Sequence, residues 1–337
     1  MEATVKRKSI KSRNRNLNPL VLFLFSILIV YVVVFTFMLL WAFMNSFKPL
    51  GQWENREYMA FPDFSNPLWT SKEMRYDMKG NQVMSTYYPS ALANYTRVLE
   101  AMPGKGEVRF YAGWDLNTAV VATSNNSLFM MIFNTIFYSF VGSLIIAVVP
   151  CVVGYLAAKY PYKFSSLLYV LALFVMIMPL VGTEPARIKL LCRLYLFDTM
   201  WGDFIVNFTF ANMYFLVFYA FYSGVSGTFA EAAEVDGASQ LRTMVQIIMP
   251  LASKMIATVL LIFFIGRWNN YTTPLVYMPT KWMLSYRLFQ ITIYKDEVGG
   301  DPAKIAGAMI IVVPILVMFI FLKDKIMGNI SMGGVKE

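Results

Sequence analysis

The chain has 337 residues, of which 58% are apolar and 15% charged, and its net charge is +9. A soluble domain averages about 45–50% apolar and about 25% charged residues, so this composition indicates a multi-span membrane protein and excludes a disordered chain or a disulfide scaffold. Because the chain has no histidine, it cannot by itself build a Ser-His-Asp triad or a zinc site of the usual kind. We interpret Cys151 and Cys192 as unpaired small apolar residues.

Long stretches without charge locate the membrane spans. A spanning helix needs about 20 apolar residues, because each residue rises about 1.5 Å and the hydrocarbon layer is about 30 Å thick. Uncharged stretches of this kind lie between Arg15 and Lys48, Asp115 and Lys159, Lys163 and Glu184, Asp203 and Glu231, and Lys304 and Lys323. A further apolar stretch runs from Leu251 through Trp268, and Lys254 and Arg267 are expected to snorkel toward opposite membrane faces. The sequence therefore predicts an all-α membrane protein with six transmembrane helices.

The positive charges predict the orientation. The cations Lys6, Arg7, Lys8, Lys11, Arg13 and Arg15 immediately precede the first span. Cytoplasmic flanks carry an excess of Lys and Arg, so the N-terminus is predicted to be cytoplasmic, and six crossings return the C-terminus to the same side. The basic charge is thereby assigned to topology and anionic lipid, not to nucleic acid. The first apolar run is also too long for the 7–15-residue core of a secretory signal.

These spans divide the chain into segments. We predict a cytoplasmic basic tail at 1–18, a first span at 19–46, an extracytoplasmic loop at 47–127, a core of five further spans at 128–323 that contains a cytoplasmic loop at 223–250, and a cytoplasmic tail at 324–337. The large outer loop between helices 1 and 2 is long enough to form a small folded cap. Its exposed aromatic residues are compatible with sugar stacking, with an interfacial belt or with a protein contact. Segment 184–203 is amphipathic and lies along the outer interface or extends the following helix.

The cytoplasmic loop at 223–250 is too long to be a simple turn, because helix connections are typically 2–8 residues. Thr228 and Glu231 match a capping box for a first helix. Gly237 is expected to end that helix in a left-handed conformation, and Ser239 to cap a second helix that runs until Pro250. The loop is therefore predicted to be two short helices joined by a glycine bend at the inner mouth of the protein.

This segment resembles the EAA loop of ABC importer permeases. The matching residues are Glu231, Ala232, Ala233, Gly237, Ile247, Met249 and Pro250, with Met249 where the family pattern has leucine. Three other segments resemble the maltose-type branch of that family, whose members import sugars and oligosaccharides: Asn94-Tyr95 with Val98-Leu99, Trp268-Asn269-Asn270, and Gly333-Gly334-Val335-Lys336.

The resemblance implies that the loop docks as a coupling helix in a cleft of a separate ATPase subunit. The residues expected to act in this coupling are Glu231, Ala232, Ala233, Asp236, Gly237, Arg242, Ile247 and Pro250. Glu231 is expected to interact electrostatically with the cleft, and the two alanines to permit close approach. Because the chain has no GxxxxGK[ST] phosphate loop, ATP and Mg are expected to bind the partner ATPase, and this chain is expected to have no catalytic residue and no cofactor or metal of its own.

The resemblance also implies the remaining partners and the location. These are a second homologous permease, an ABC ATPase dimer, an extracellular solute-binding protein, a sugar substrate and the lipid of a bacterial plasma membrane, with no nucleic acid. The outer segment 274–303 is expected to meet the solute-binding protein.

The translocation path is predicted from polar and aromatic residues near the spans, because polar groups are costly in lipid. The candidates are Asn207, Asn212, Tyr214, Trp268, Asn269 and Asn270, with Asn134, Thr135, Tyr219 and Tyr222 as further polar or aromatic groups. Hydrogen bonding and packing between helices is the alternative role for such residues.

An ion-coupled secondary transporter, or another polytopic membrane protein, is the alternative to an ABC importer permease. A secondary transporter is expected to show internal repeats and intramembrane carboxylates. Here every Asp and Glu falls outside the uncharged stretches. An intramembrane enzyme is disfavoured further, because no paired acidic residues lie within a span.

Overall fold

The computed structural model describes residues 19–65, 71–76, 82–87, 90–160, 162–178, 182–294 and 300–327. The predicted tail 1–18, the tail beyond residue 327 and the glycine-rich motif 333–336 lie outside the described residues. The helices are α1 (Pro19–Ser46), α2 (Leu50–Glu54), α3 (Ala93–Ala101), α4 (Leu128–Lys159), α5 (Lys163–Ile177), α6 (Thr183–Arg193), α7 (Met200–Val206), α8 (Met213–Gly224), α9 (Thr228–Val235), α10 (Gln240–Thr243), α11 (Met249–Leu251), α12 (Ser253–Asn269), α13 (Thr272–Tyr277), α14 (Leu284–Phe289) and α15 (Asp301–Met327). Two π-helical turns, Met244–Ile248 and Gln290–Tyr294, continue α10 and α14.

Three of the described helices are long and apolar enough to cross a membrane: α1, α4 and α15. The count rises to five if each of two bent pairs is one span, namely α8 with α9 and α10–α11 with α12. The apolar helix α5 has 15 residues, which is about 22 Å at 1.5 Å per residue. The chain is thus a multi-pass membrane protein, as its composition indicates.

The single helix predicted between Asp203 and Glu231 is wrong. The chain instead forms α7, an irregular connection, α8 and α9. Two asparagines explain the break, because side-chain amides compete with the helical backbone for hydrogen bonds. Asn207 follows α7, and its Nδ2 donates back to the carbonyl of Asp203 at 2.8 Å. Asn212 caps α8, and its Oδ1 accepts from the backbone N–H of Tyr214 at 2.9 Å.

The prediction of an all-α chain needs a correction, because the outer loop contains two antiparallel β-hairpins. Strand β1 (Ser71–Tyr76) pairs with β2 (Gln82–Tyr87), and β3 (Gly104–Ala112) pairs with β4 (Thr118–Asn126). Gly106 in β3 allows close packing, because a Cβ there would lie 2.9 Å from the Cα of Thr280. The described part of the outer loop thus consists of α2, α3 and the two hairpins, and we call this region the cap.

The start of the cap is fixed to the end of α1. Asn94 on α3 donates from Nδ2 to the carbonyls of Ser46 and Lys48, at 2.9 and 2.8 Å. Lys48 is fully buried and donates to the carbonyl of Glu57 at 2.6 Å. Burial lowers the pKa of the Lys48 ammonium, and the nearby Glu57 carboxylate partly opposes this. The outer end of α1 is therefore held in place, although its apolar surface is exposed along its length.

Three segments predicted to lie outside the membrane pack together at one end of the structure, which we call the outer end. Asn126 at the end of β4 donates to the carbonyl of Thr280 at 3.0 Å. The backbone N–H of Gly113 donates to the carbonyl of Cys192 at the end of α6, at 3.1 Å. Asp198, between α6 and α7, accepts from the backbone N–H of Thr280 at 2.9 Å. Segment 184–203 is thus a separate amphipathic helix and turn packed on the protein, not an extension of α8.

The contact of segment 274–303 with a solute-binding protein stays a prediction, and one part of the segment has no free surface for such a contact. Residues 282–288 are all buried within this chain, as are Met278 and Ile291. Arg287 shows why: its Nε donates to the carbonyl of Met102, and its guanidinium lies 4.4 Å from the centre of the Trp282 ring. The Arg287 side chain therefore attaches this segment to the cap.

Two apolar clusters define the ends of the helical core. The outer cluster contains Tyr138, Leu191, Cys192, Phe197, Phe204, Tyr277, Met278 and Met283. The inner cluster contains Ala147, Cys151, Tyr155, Phe218, Tyr222, Ile248, Ala252 and Val259. Helix α4 contributes to both, so it connects the two ends of the molecule.

Candidate functional site

The first helix of the loop at 223–250 is α9. It does not begin as predicted, because Thr228 lies inside the helix and Gly227 precedes it. The backbone N–H of Glu231 donates to the carbonyl of Gly227 at 3.1 Å, and the hydroxyls of Ser226 and Thr228 are hydrogen-bonded at 2.8 Å. The predicted capping box between Thr228 and Glu231 is therefore wrong, since the Thr228 hydroxyl bonds to Ser226 and Thr228 is not the cap.

The glycine bend is confirmed. Gly237 has φ = +74°, in the left-handed region. Its N–H donates to the carbonyl of Glu234 at 3.0 Å, and the N–H of Ala238 donates to the carbonyl of Ala233 at 2.9 Å. These two bonds form a Schellman motif, which satisfies the last carbonyls of a helix and requires the conformation that glycine adopts most readily.

The second helix begins as predicted and ends differently. Ser239 caps α10, with its Oγ accepting from the backbone N–H of Arg242 at 3.4 Å. The helix continues through a π-helical turn and α11 to Leu251, one residue beyond Pro250. The wide π turn tolerates proline here, because proline has no N–H to donate to the carbonyl four residues earlier. The break lies at Ala252, where the axis bends by 71° into α12.

Both ends of the loop are attached to the helical core. Helix α9 is bent by 68° from α8. The ammonium of Lys159, at the end of α4, donates to the carbonyl of Val225 between α8 and α9 at 2.5 Å. Ile248 in the π-helical turn and Ala252 after α11 are buried in the inner cluster. We call residues 223–250 the coupling segment; it connects α8 to α12 and is anchored to the core near both ends.

The coupling segment has an exposed face. Its exposed charged residues are Glu231, Glu234, Asp236 and Arg242, and its exposed apolar residues include Phe229, Ala232, Val235, Leu241 and Val245. Val235 is 88% exposed and Leu241 is 68% exposed. Large exposed apolar side chains rimmed by charges mark a surface that another molecule covers.

The predicted coupling residues do not all lie on this face. Glu231, Ala232, Asp236, Gly237, Arg242 and Pro250 are exposed, and Ile247 is half-buried beside the inner cluster. Ala233 is only 3% exposed, so its methyl group packs against this chain. The role of the two alanines in the close approach of a partner stays a prediction.

An apolar cavity of about 540 Å³ lies beside the coupling segment. It is lined by Val152, Leu156, Tyr160, Tyr162, Ser165, Leu168, Gln240, Leu241 and Met244. The cavity lies between α10, the end of α4 and the start of α5.

The predicted path residues each have a partner within this chain. Besides Asn207 and Asn212, described above, Trp268 donates to the carbonyl of Ile311 at 3.2 Å, and Asn269 donates to that of Ile265 at 2.9 Å. The Oδ1 of Asn270 accepts from the backbone N–H of Thr273 at 2.9 Å, and the Tyr214 ring packs on Phe263. None of the six lines the cavity beside the coupling segment.

The other polar groups named from the sequence also make contacts within the chain. Asn134 donates to the carbonyl of Trp282 at 3.3 Å, and the hydroxyl of Thr135 accepts from the N–H of Leu284 at 2.9 Å. Tyr219 packs on the ring of Tyr169, and the Tyr222 hydroxyl lies 3.1 Å from the Sγ of Cys151. These contacts fit the packing role; contact with cargo stays a prediction.

A buried ion pair was missed by the sequence reasoning. Arg267 on α12 donates from Nη2 to Oδ2 of Asp203 on α7, and the two residues are 8% and 7% exposed. The expectation that Arg267 snorkels to a membrane face is therefore wrong. The sequence did contain a signal for this pair. Asp203 and Arg267 each lie at the outer boundary of a predicted span, and charged residues in such positions tend to pair inside a helix bundle.

Among the described residues, no group of three or more Cys, Asp or Glu side chains is arranged to hold a metal ion. The described residues instead form an exposed segment attached to α8 and α12 and, at the outer end, a buried ion pair between α7 and α12.

Comparison with known proteins agrees with this architecture. Residues 144–323 match the family described as binding-protein-dependent transport system inner membrane component. The chain belongs to this family, and it is a multi-pass component of the bacterial inner membrane.

Particular relatives narrow the comparison. The chain is 24% identical over 211 residues to the arabinooligosaccharides transport system permease protein AraQ of Bacillus subtilis (strain 168), which covers 63% of this chain and 72% of AraQ. It is 26% identical over 208 residues to the trehalose transport system permease protein SugB of Mycobacterium tuberculosis (strain CDC 1551 / Oshkosh), covering 60% of this chain and 75% of SugB. Its fold is similar to a chain of a bacterial ABC transporter involved in the import of alginate, with a TM-score of 0.63 and 17% identity over 91% of this chain and 98% of that chain.

Proposed function

We propose that this chain is one of two permease subunits of an ATP-driven ABC importer, and that its coupling segment transmits the closure of a separate ATPase dimer to the membrane helices. The observation that carries the proposal is the anchored and exposed coupling segment of a chain in this family. The segment is fixed at both ends by Lys159 and Ile248, and it exposes Glu231 and Val235 to a partner.

The geometry suits a mechanical role. A force applied to α9 and α10 reaches α8 and α12 through bends of 68° and 71°. The Schellman motif at Gly237 fixes the angle between the two short helices, so a displacement is passed on and not absorbed by a flexible linker. Acidic groups on the exposed face are expected to meet cations in the ATPase cleft, and ATP and Mg are expected to bind the ATPase alone.

We further propose six crossings, made by α1, α4, α5, α8, α12 and α15, with both termini in the cytoplasm. The packing of segments from the three predicted outer loops at one end, and of the coupling segment at the other, supports this topology. The orientation can be tested with a Trp114→Cys variant, because Trp114 is exposed in the cap. A membrane-impermeant thiol reagent is expected to label this cysteine from outside the cell. Reaction of a cysteine at that position from the cytoplasm alone would contradict the topology.

The cargo is proposed to be a sugar or oligosaccharide. This rests on the relatives, whose names specify arabinooligosaccharide and trehalose transport. The remaining partners are proposed to be a second homologous permease and an extracellular solute-binding protein.

The test is copurification with an ATPase subunit, followed by ATP-dependent uptake of radiolabelled arabinooligosaccharides and trehalose in vesicles. Glu231→Lys is expected to abolish uptake and weaken copurification, because it reverses a charge on the exposed face of α9. Glu184→Lys is the matched control, since Glu184 is an exposed acid on α6 at the outer end. An unchanged ATPase association in the Glu231 variant would contradict the proposed coupling contact.

The same vesicles separate this proposal from the alternative. An ion-coupled secondary transporter would lose uptake when the ion gradient collapses and would keep it when ATP is depleted. An ABC importer is expected to show the reverse.

A further inference from the structure

The Asp203–Arg267 pair joins three helices at the outer end of the molecule. Arg267 lies near the end of α12, Asp203 is on α7, and Tyr138 on α4 lies beneath the guanidinium, whose Cζ is 4.4 Å from the ring centre. The Nη1 of Arg267 also donates to the Tyr138 hydroxyl at 3.4 Å. Asn207 holds the other carboxylate oxygen of Asp203 through its Nδ2, at 2.9 Å.

Helix α4 carries a space for the guanidinium. A Cβ at position 142 would overlap the Nε and Cζ of Arg267, so only glycine at this position leaves room for the arginine. Within the part of the chain that the structure describes, that Nε has no hydrogen-bond partner. The pair is thus closely enclosed yet incompletely satisfied, and a buried ion pair of this kind contributes little stability compared with apolar residues of similar volume.

Helix α12 connects the coupling segment at one end to the Asp203–Arg267 pair at the other. The inner end of α12 follows directly from α11 and the coupling segment, and its outer end is held by Asp203. Around the pair, the outer cluster is closed, with Tyr138 and Met278 fully buried. A movement of α12 relative to α7 would separate the guanidinium from the carboxylate.

We propose that Asp203 and Arg267 form a positioning latch that keeps the outer end closed until the ATPases close. The latch rests on the proposed function, because it acts on the movement that the coupling segment transmits. It sets the population of the closed state, so its loss allows the outer end to open without the solute-binding protein. ATP hydrolysis then becomes less dependent on that protein.

The test uses the complete complex in nanodiscs, with the double variant Asp203→Leu/Arg267→Met. This variant removes both charges and keeps the volume, so assembly and thermal stability are expected to be retained. ATPase activity measured without the solute-binding protein is expected to rise by about fivefold or more, the lower end of typical coupling between sites. The matched control is Glu184→Leu/Lys189→Met, which removes an exposed acid and an exposed base on α6 and is expected to leave that activity unchanged.

A second readout uses a native thiol. Cys192 is buried in the outer cluster, and Cys151 is buried in the inner cluster. In a Cys151→Ser background, N-ethylmaleimide labelling of this chain, followed by intact mass, reports opening of the outer end. The double variant is expected to label about fivefold faster or more, for the same coupling reason. Labelling needs no ATPase, so it tests the latch even if no ATPase copurifies, an outcome that would overturn only the proposed function.

The latch proposal would be overturned if the assembled double variant had wild-type ATPase activity without the solute-binding protein and a wild-type rate of Cys192 labelling. If the double variant does not assemble, Asp203→Asn takes its place, because it removes the charge and keeps the shape and one acceptor. The same increases are expected in that variant, and wild-type values there would overturn the proposal equally.

Discussion

The ammonium of Lys159 lies 2.5 Å from the carbonyl oxygen of Val225. Lys159 is the last residue of α4, and Val225 lies in the coupling segment directly after α8. The Lys159 side chain therefore connects α4, which contributes to both core clusters, to the start of the segment that the ATPase subunit is proposed to move.

Removal of this tie is expected to reduce coupling. Lys159→Met leaves the Val225 carbonyl without its charged donor, at a cost of about 1.5–3 kcal/mol for a hydrogen bond to a charged group. ATP-dependent uptake is expected to fall several-fold, because the start of the coupling segment is less firmly fixed. Uptake in vesicles at equal protein levels measures this. Lys189→Met is the control, since Lys189 is exposed on α6, and equal effects of the two variants would contradict the role of Lys159.

The glycine bend offers a comparison between two glycines of the same conformation. Gly237 and Gly182 have φ = +74° and +75°, and a Cβ at either would meet nothing within 4 Å. Alanine at either position is therefore expected to cost about 1–2 kcal/mol through backbone strain alone. Gly237→Ala is expected to reduce uptake and the ATPase response, whereas Gly182→Ala, at the outer end, is expected to affect stability only. Equal losses of transport in both would show that the bend at 237 has no special role.

The anchoring of the cap is expected to depend on Asn94. Asn94→Ala leaves the carbonyls of Ser46 and Lys48 without their donor, and each unsatisfied buried group costs about 1–3 kcal/mol. A fall in the melting temperature of the detergent-solubilised protein is expected, measured by intrinsic fluorescence. Asn125→Ala changes an exposed asparagine on β4 and is expected to leave the melting temperature unchanged.

Close packing between β3 and segment 277–283 is expected to make Gly106 intolerant of a side chain. A Cβ there would lie 2.9 Å from the Cα and 3.1 Å from the carbonyl oxygen of Thr280, and backbone atoms have little freedom to move. Gly106→Ala is expected to reduce the free energy of unfolding by about 1–3 kcal/mol, the usual cost of overpacking, and so to lower the melting temperature. Gly266→Ala is the matched control, because nothing lies within 4 Å of that Cβ and alanine favours a helix.

Features that depend on local chemistry could be predicted from the amino-acid sequence alone. Uncharged stretches place helices in the membrane because lipid excludes charge, and Gly237 and Ser239 set the bend and the cap of the coupling segment because their preferences are local. The spacing of Glu231, Ala232 and Gly237 was enough to indicate the family to which the chain belongs.

Contacts between residues that are far apart in the sequence could be identified only from the three-dimensional structure. Asp203 and Arg267 are far apart in sequence, and their pairing depends on the space left by Gly142 on a third helix. Likewise, Ala233 is turned inward and residues 282–288 are buried because neighbouring elements cover them. Long-range contacts such as these depend on how helices and hairpins pack in three dimensions, which the local preferences of single residues do not specify.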